Sequence, residues 1–349
     1  MTARILRVDP WNPAPDAIDE AAQVIRAGGL VAFPTETVYG LGADGLSSAA
    51  VARIFEAKGR PADNPLILHF SDPEAVASVA LVTSEAKRLM ELFWPGPLTL
   101  VLPSRGRVPR EVTAGLDTVA VRMPSHPVAL ALLSRVAIPV AAPSANRSGR
   151  PSPTDAEAVA SDVGETVDII IDGGETFVGV ESTVLDVTGG RLVMLRPGGC
   201  PIEEIEARTG ERVILSGGDA HRSPGTRYRH YAPRVPLLLD ATDEDVDRAL
   251  SKAGLEGGIR VAWMGMDIGC EACSVDAGIA EPGLRVAFDS PENYARGLFH
   301  ALRTFERLGA DIIIAHLPDS DRGIRRAVRD RLERAASEEQ SGSTVVRNE

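Results

Sequence analysis

The stretch GGLVAFPTETVYGLGADGLSSAAVARIFEAKGRPADNPLILHF, Gly28 to Phe70, decides the fold. Its apolar run Leu30–Phe33 is short and tightly bounded, which reads as a buried strand. Pro34 closes the run, because proline has no N–H for a ladder and pushes its predecessor toward extended geometry. Thr35, Glu36, Thr37 and Tyr39 then place polar groups at the mouth of the strand. Ser47 or Ser48 caps a helix whose apolar residues Val51, Ile54 and Phe55 recur at helical spacing. That helix delivers Lys58, Gly59 and Arg60 at its C-terminal end, and Pro61 stops it. A second strand, Leu66–Leu68, ends at His69. Hydroxyls, two cations, an amide (Asn64) and an imidazole thus gather at strand and helix ends.

Of 37 basic residues only Lys58, Lys87 and Lys252 are lysines. Lysine is a compact, flexible point charge where arginine is a rigid fork. A lysine kept beside Arg60 is either chance or the mark of a site that needs the former.

A chain of 349 residues implies two domains. The composition, 44% hydrophobic and 25% charged, is that of an ordinary globular protein. No apolar run approaches the roughly 18 residues of a membrane helix, and MTARILRVDPWNPAP lacks the pattern of a signal peptide. A cytoplasmic protein without membrane contact is expected. Cys270 and Cys273 form a CxxC, but with Cys200 the only other cysteine there is no second pair to complete a zinc site. Two reduced thiols are favoured over a thioredoxin-like role. The net charge of −12 argues against a dedicated duplex-binding protein. One basic cluster stands out: His221, Arg222, Arg227, Arg229, His230 and Arg234.

Residues 1–212 read as one α/β domain. Helices are predicted at Ile18–Ala27, with Gly28 and Gly29 as the stop, after a cap at Ser71 or Asp72, and at Ser84–Phe93. Three more follow at Pro127–Arg135, Thr154–Val163 and Ile202–Thr209. Strands are predicted at Leu98–Leu102, Val119–Arg122, Val140–Ala142 and Asp168–Ile171. Val180–Val187 and Leu192–Leu195 form a hairpin around Gly189-Gly190. The mixture of neighbouring and separated strands predicts a mixed, twisted sheet with helices.

Residues 213–236, rich in Gly, Pro and Arg, read as a linker. Its cations, His and Tyr suggest that it folds over a charged ligand. From 237 to 336 strands alternate with helices: Leu237–Leu239, helix Asp243–Ala253, Arg260–Met264, Arg285–Phe288, helix Asn293–Leu308, Asp311–Ala315 and helix Gly323–Ala335. This alternation predicts a smaller, doubly wound, Rossmann-like parallel domain. Residues 337–349 are polar and are expected to be a disordered tail.

Gly40-Leu-Gly42-Ala-Asp-Gly45 is formally a dinucleotide fingerprint, but PTETVY separates it from the strand and the helix begins beyond Gly45. No GxxxxGK[ST] is present. Nucleotide binding therefore falls to scattered donors: Lys58, Arg60 and Arg196 for triphosphate oxygens, with Ser144 and Asn146 nearby.

Further motifs follow the first stretch in order. They are WPGPLTLVLP (Trp94–Pro103), VAVRMPSHP (Val119–Pro127) and APSANRSGRPSPT (Ala142–Thr154). After them come VESTVLDV (Val180–Val187), LRPG (Leu195–Gly198) and SPGTRYRHYAP (Ser223–Pro233). Together with PTETVYGLG and KGRPADNPL they resemble the YrdC domain of threonylcarbamoyl-AMP synthases. The last motif and the residues beyond it resemble the long, two-domain form of that family. The resemblance implies L-threonine binding by Thr37, His69, Arg122, Ala142 and Ser182. It implies ATP contacts from Arg60, Asn64, Thr118, Ser144, Ser152, Arg196 and Tyr231, the last requiring the linker to close on the nucleotide. Lys58, Arg60 and Arg196 would carry the catalytic electrostatics. The implied reaction joins L-threonine, bicarbonate (or CO2) and ATP into threonylcarbamoyl-AMP and pyrophosphate, with Mg2+ at the phosphates and no protein metal ligand assigned. A tRNA-modifying threonylcarbamoyl transferase would take the product. Two other readings compete. A double-stranded RNA-binding domain without catalysis, or with weak RNA contact only, would use cations on a concave face. A carbamoyltransferase-type maturation factor would call for acylphosphatase-like or zinc-finger segments, and none is present.

Overall fold

A computed structural model describes residues 2–61, 63–216, 230–242, 259–266 and 284–337. The helix expected at Asp243–Ala253, Cys270, Cys273, His221, Arg222, Arg227, Arg229 and the tail after Ser337 lie outside the described residues.

The opening stretch folds as a hairpin followed by a helix. β2 (Val31–Pro34) and β3 (Tyr39–Asp44) run antiparallel, with Phe33 opposite Gly40 and Val31 opposite Gly42. The GxGxxG pattern is therefore strand up to Asp44, and Gly42 and Gly45 serve close packing. A Cβ on Gly42 would lie 2.8 Å from the Phe33 ring and one on Gly45 2.6 Å from Leu68. α2 (Ser48–Lys58) is capped by Ser47, whose side chain accepts from the Ala50 N–H, and ends at Gly59 in the left-handed region.

These elements enter an eleven-stranded mixed sheet of order β1-β8-β2-β3-β7-β4-β6-β5-β9-β10-β11. The other strands are β1 (Arg4–Arg7), β4 (Ile67–His69), β5 (Leu98–Pro103), β6 (Thr118–Arg122), β7 (Val140–Ala141), β8 (Ile169–Asp172), β9 (Thr183–Asp186), β10 (Leu192–Arg196) and β11 (Val213–Leu215). β4 and β6 run parallel with His69 opposite Arg122, which brings both side chains to one end of the sheet. The expected hairpin is β9–β10. β11 pairs in parallel with β10, so the first sheet runs on to Leu215, into the stretch read as linker.

Helices cover both faces. α1 (Pro15–Arg26) and α5 (Pro127–Val136) pack on the β2–β8 side, and α2, α3 (Ser84–Phe93), α6 (Ala156–Val163) and α7 (Ile202–Thr209) enclose the larger core. α4 (Arg110–Thr113) is one short turn, and the helix expected after Asp72 is 3-10, Pro73–Ser78. In the second domain β12 (Leu237–Leu239), β13 (Val261–Met266), β14 (Arg285–Phe288) and β15 (Ile312–Ala315) form a parallel sheet of order β12-β15-β13-β14. It is flanked by α8 (Pro291–Arg307) and α9 (Arg325–Ala336). The fold class is thus α/β throughout, as predicted. No helix among the described residues is long and apolar enough to cross a membrane.

The two domains share a core. Val38 and Val180 of the first domain, with Tyr231, pack into the cluster built by α8, α9 and the parallel sheet. Three ion pairs reinforce this contact: Arg150–Glu306 at 2.5 Å, Arg303–Asp162 at 2.7 Å and Arg331–Glu181 at 2.7 Å.

Gly198 shows how tightly the β9–β10 end is built. A Cβ there would lie 2.3 Å from the backbone of Glu181, Ser182 and Thr183, whereas one on Gly189 would meet nothing within 4 Å. Gly198→Ala is expected to cost about 2–3 kcal/mol in urea unfolding, and Gly189→Ala to stay near wild type.

Candidate active site

The ends of β4, β6 and β10, the β2–β3 turn and the segments 142–144 and 181–182 converge on one cleft. Thr37, Arg60, His69, Arg122, Ala142, Ser144, Ser182, Arg196 and Tyr231, all predicted from the sequence, line it. Thr35, Glu181 and His230 line it as well.

One end is built on Arg122, 3% exposed. Its Nη1 donates to Thr37 Oγ1 at 3.0 Å and its Nε to the Gly96 carbonyl at 3.2 Å. Nη2 lies 2.7 Å from Glu36 Oε1 but out of line, so neither the Nη2 donor nor the Glu36 carboxylate has an aligned hydrogen bond. A buried guanidinium beside a hydroxyl suits recognition of a carboxylate. Thr35 and Thr37 hold one another through their hydroxyls at 2.8 Å. His69 closes the floor; burial, and then Arg122, lower its pKa to about 3, so its imidazole is neutral.

The other end gathers Arg60, Arg196 and Ser144. Arg60 donates to the carbonyls of Asn64 and Pro65 at 3.3 and 3.1 Å, while its Nε is buried without a hydrogen bond. Burial lowers the Arg60 pKa to about 10, which leaves it charged at neutral pH. Arg196 donates to the Ser182 carbonyl at 2.8 Å and to Ser182 Oγ at 3.3 Å. Ser144 Oγ donates to Asn146 Oδ1 at 2.6 Å. His230 and Tyr231 roof this end; burial, and then Arg60, lower the His230 pKa to about 3.

Lys58, Asn64, Thr118 and Ser152 are predicted site residues that do not line the cleft. Lys58 lies behind its wall, donating to the carbonyls of Ser144 and Asn146 at 2.6 and 2.5 Å. Burial, and then Arg60, hold its amine well below the usual lysine range. Asn64 is buried and its carbonyl accepts from Arg60. Thr118 begins β6, four residues and so about 13 Å from Arg122 along the strand. Ser152 Oγ donates to Glu181 Oε1 at 2.5 Å.

Sequence reasoning set Glu36 at the mouth of the strand without a role, and missed Glu181 and Arg331. Glu181 is a buried carboxylate at the head of β9. Burial alone would raise its pKa, but Arg331, then Arg196, then Ser152 bring it to about 2. Arg331 had a legible signal: it falls on the stripe Ala327, Val328, Arg331, Leu332, Ala335 that α9 turns to the core.

Residues 23–198 match the Sua5/YciO/YrdC family, described as "Telomere recombination". Residues 200–337 match the threonylcarbamoyl-AMP synthase C-terminal domain. The threonylcarbamoyl-AMP synthase of Pyrococcus abyssi is 47% identical, with 95% of each chain covered, and that of Bacillus subtilis 44%, with 95% of this chain and 94% of the relative covered. The crystal structure of P. abyssi Sua5 complexed with L-threonine superposes with a TM-score of 0.83 at 45% identity, covering 95% of this chain and 97% of that one. Fold and relatives together define an ATP-using enzyme of the nucleotidyl-transfer type. The chain belongs to the threonylcarbamoyl-AMP synthase family.

The buried groups give acid sensitivity a definite sign. His69 and His230 are depressed to about 3, so their contribution to stability is complete above the unfolded value near 6.5 and drains away as pH falls toward 3. Glu181, depressed to about 2, contributes above roughly pH 4.5 and loses that contribution as pH falls toward 2. Urea-unfolding stability is expected to decline through both windows, and Glu181→Gln to flatten the lower one.

Proposed function

We propose that the cleft binds L-threonine at its Arg122 end and ATP at its Arg60–Arg196 end, and joins them through bicarbonate. The observation that carries this reading is the gathering, in one cleft, of Arg122 with the Thr37 hydroxyl and of Arg60, Arg196 and Ser144. The threonine carboxylate meets Arg122 and the Thr37 hydroxyl, against the floor formed by His69 and Ala142. The triphosphate meets Arg60, Arg196 and Ser144. The L-threonine bound by the P. abyssi relative supports the first assignment.

The chemistry follows in two steps. The threonine amine attacks the carbon of bicarbonate (or CO2), giving a carbamate, with loss of water when bicarbonate reacts. A carbamate oxygen then attacks the α-phosphorus, and pyrophosphate leaves. Neither step needs a protein nucleophile; positioning and neutralisation of developing charge suffice. Lys58 holds the Ser144–Asn146 turn with two of its three donors and adds positive charge behind the wall that the phosphates meet. Asn64, Thr118 and Ser152 act by shaping the wall.

No cluster of three or more His, Cys, Asp or Glu able to hold a metal ion occurs among the described residues. Both oxygens of Glu181 are engaged, by Ser152 and Arg331. Mg2+ therefore fits as a partner of the phosphate oxygens and water, neutralising the leaving pyrophosphate. His230 and Tyr231 roof the nucleotide end and shield the adenylate from hydrolysis. The product passes to a tRNA-modifying threonylcarbamoyl transferase. Duplex RNA binding is disfavoured, because Arg60, Arg122 and Arg196 are 8%, 3% and 4% exposed and cannot reach phosphates on an open face.

Protein mixed with ATP, Mg2+, L-threonine and bicarbonate should release pyrophosphate and form the adenylate, read by mass spectrometry, only when both threonine and bicarbonate are present. Turnover that ignores either one contradicts the reading. Lys58→Ala should lose on the order of a hundredfold in turnover; a rate within about threefold of wild type would remove Lys58 from the machinery.

A further inference from the structure

One guanidinium of the second domain reaches a charged group of the cleft wall. Arg331 sits on the core stripe of α9, and its side chain is 0% exposed. A buried charge is retained only where it is paired and hydrogen-bonded, and the partners of Arg331 come from several segments. Nε donates to Glu181 Oε2 at 2.7 Å and Nη2 to the Pro197 carbonyl at 3.0 Å. Nη1 donates to Asp330 at 2.5 Å, and the guanidinium stands over the Tyr231 ring, 5.2 Å from its centroid. Glu181 and Tyr231 line the nucleotide end of the cleft; Arg331 does not.

Glu181 is the difficulty that this arrangement resolves. A carboxylate kept ionised and buried beside Arg196 faces the place where a triphosphate, far more negative, must enter. Left unpaired it would repel the nucleotide, since like charges in a poorly solvated site interact strongly. We propose that Arg331 is a positioning residue for nucleotide binding: it engages the Glu181 carboxylate and backs the Tyr231 ring, so that the wall facing the phosphates carries no uncompensated negative charge. The second domain thereby completes the ATP end of a site otherwise built by the first. This rests on the assignment of that end to ATP.

A simpler role would be a clamp between domains. Arg150–Glu306 and Arg303–Asp162 also clamp the domains, and neither Arg150 nor Arg303 nor their partners line the cleft. Glu306→Gln in the full-length chain is therefore the control for a mere loss of clamping.

Calorimetric titration of full-length variants with a non-hydrolysable ATP analogue, and separately with L-threonine, tests the proposal. Arg331→Met should weaken nucleotide binding at least tenfold and leave threonine binding within about twofold. Adding Glu181→Gln to Arg331→Met should recover nucleotide affinity to within about threefold, because no unpaired charge then remains. Glu306→Gln should lower Tm with nucleotide affinity unchanged. The proposal fails if Arg331→Met binds nucleotide within twofold of wild type, if the double variant is as weak as the single one, or if both ligands weaken together in step with Tm. Should Arg331→Met not fold, Glu181→Gln alone decides: it should bind nucleotide at least as well as wild type, and weaker binding overturns the idea. Wild-type protein that binds threonine but no nucleotide would instead overturn the assignment of the ATP end itself.

Discussion

Cations removed from water are the constraint on which this structure depends. Lys58, Arg60, Arg122 and Arg196 are all nearly inaccessible to solvent, yet all line or back one cleft. Taking such groups out of water is costly unless their donors are satisfied. The chain supplies backbone carbonyls: those of Ser144 and Asn146 for Lys58, Asn64 and Pro65 for Arg60, Gly96 for Arg122 and Ser182 for Arg196. Carbonyls free for this purpose occur where the chain leaves its ladders, in tight turns. The Pro- and Gly-rich character of KGRPADNP, WPGP and APSAN therefore follows from the electrostatics as much as from the path of the chain. The carbonyls leave Arg60 Nε buried without a hydrogen bond.

The second domain is bound to the first by more than a tether. Val38 follows the Thr37 turn, Val180 precedes Glu181 and Ser182, and both belong to the core of the second domain. The segments that carry the threonine and nucleotide contacts are thus held from behind by α8 and α9. Gly179 reflects the same closeness, since a Cβ there would lie 2.3 Å from Arg296 Cα.

Much of this was legible in the sequence, for identifiable reasons. Periodic segments such as Ser84–Phe93, capped by Thr83, and Ile202–Thr209, stopped by Gly210, have bounds that agree with the structure. Thr37, Arg60 and His69 were legible as polar groups at strand and helix ends, whereas Arg122 and Ser182 entered through the family resemblance. β3 was hidden because its glycines, needed for packing against Phe33, erase the apolar alternation of a strand. β1 and β11 were missed because short edge strands bury little and so carry no period. Arg331 was legible only as an arginine on an apolar stripe, because the carboxylate that explains it lies 150 residues away in sequence. Pairing across domains leaves no local trace.

The most direct test is a crystal structure of the full chain with L-threonine and a non-hydrolysable ATP analogue bound together. The account predicts the threonine carboxylate on Arg122 and Thr37, the triphosphate on Arg60 and Arg196, and the amine facing the α-phosphorus across Ser182. Threonine seated away from Arg122, or a nucleotide whose phosphates avoid Arg60 and Arg196, would contradict it.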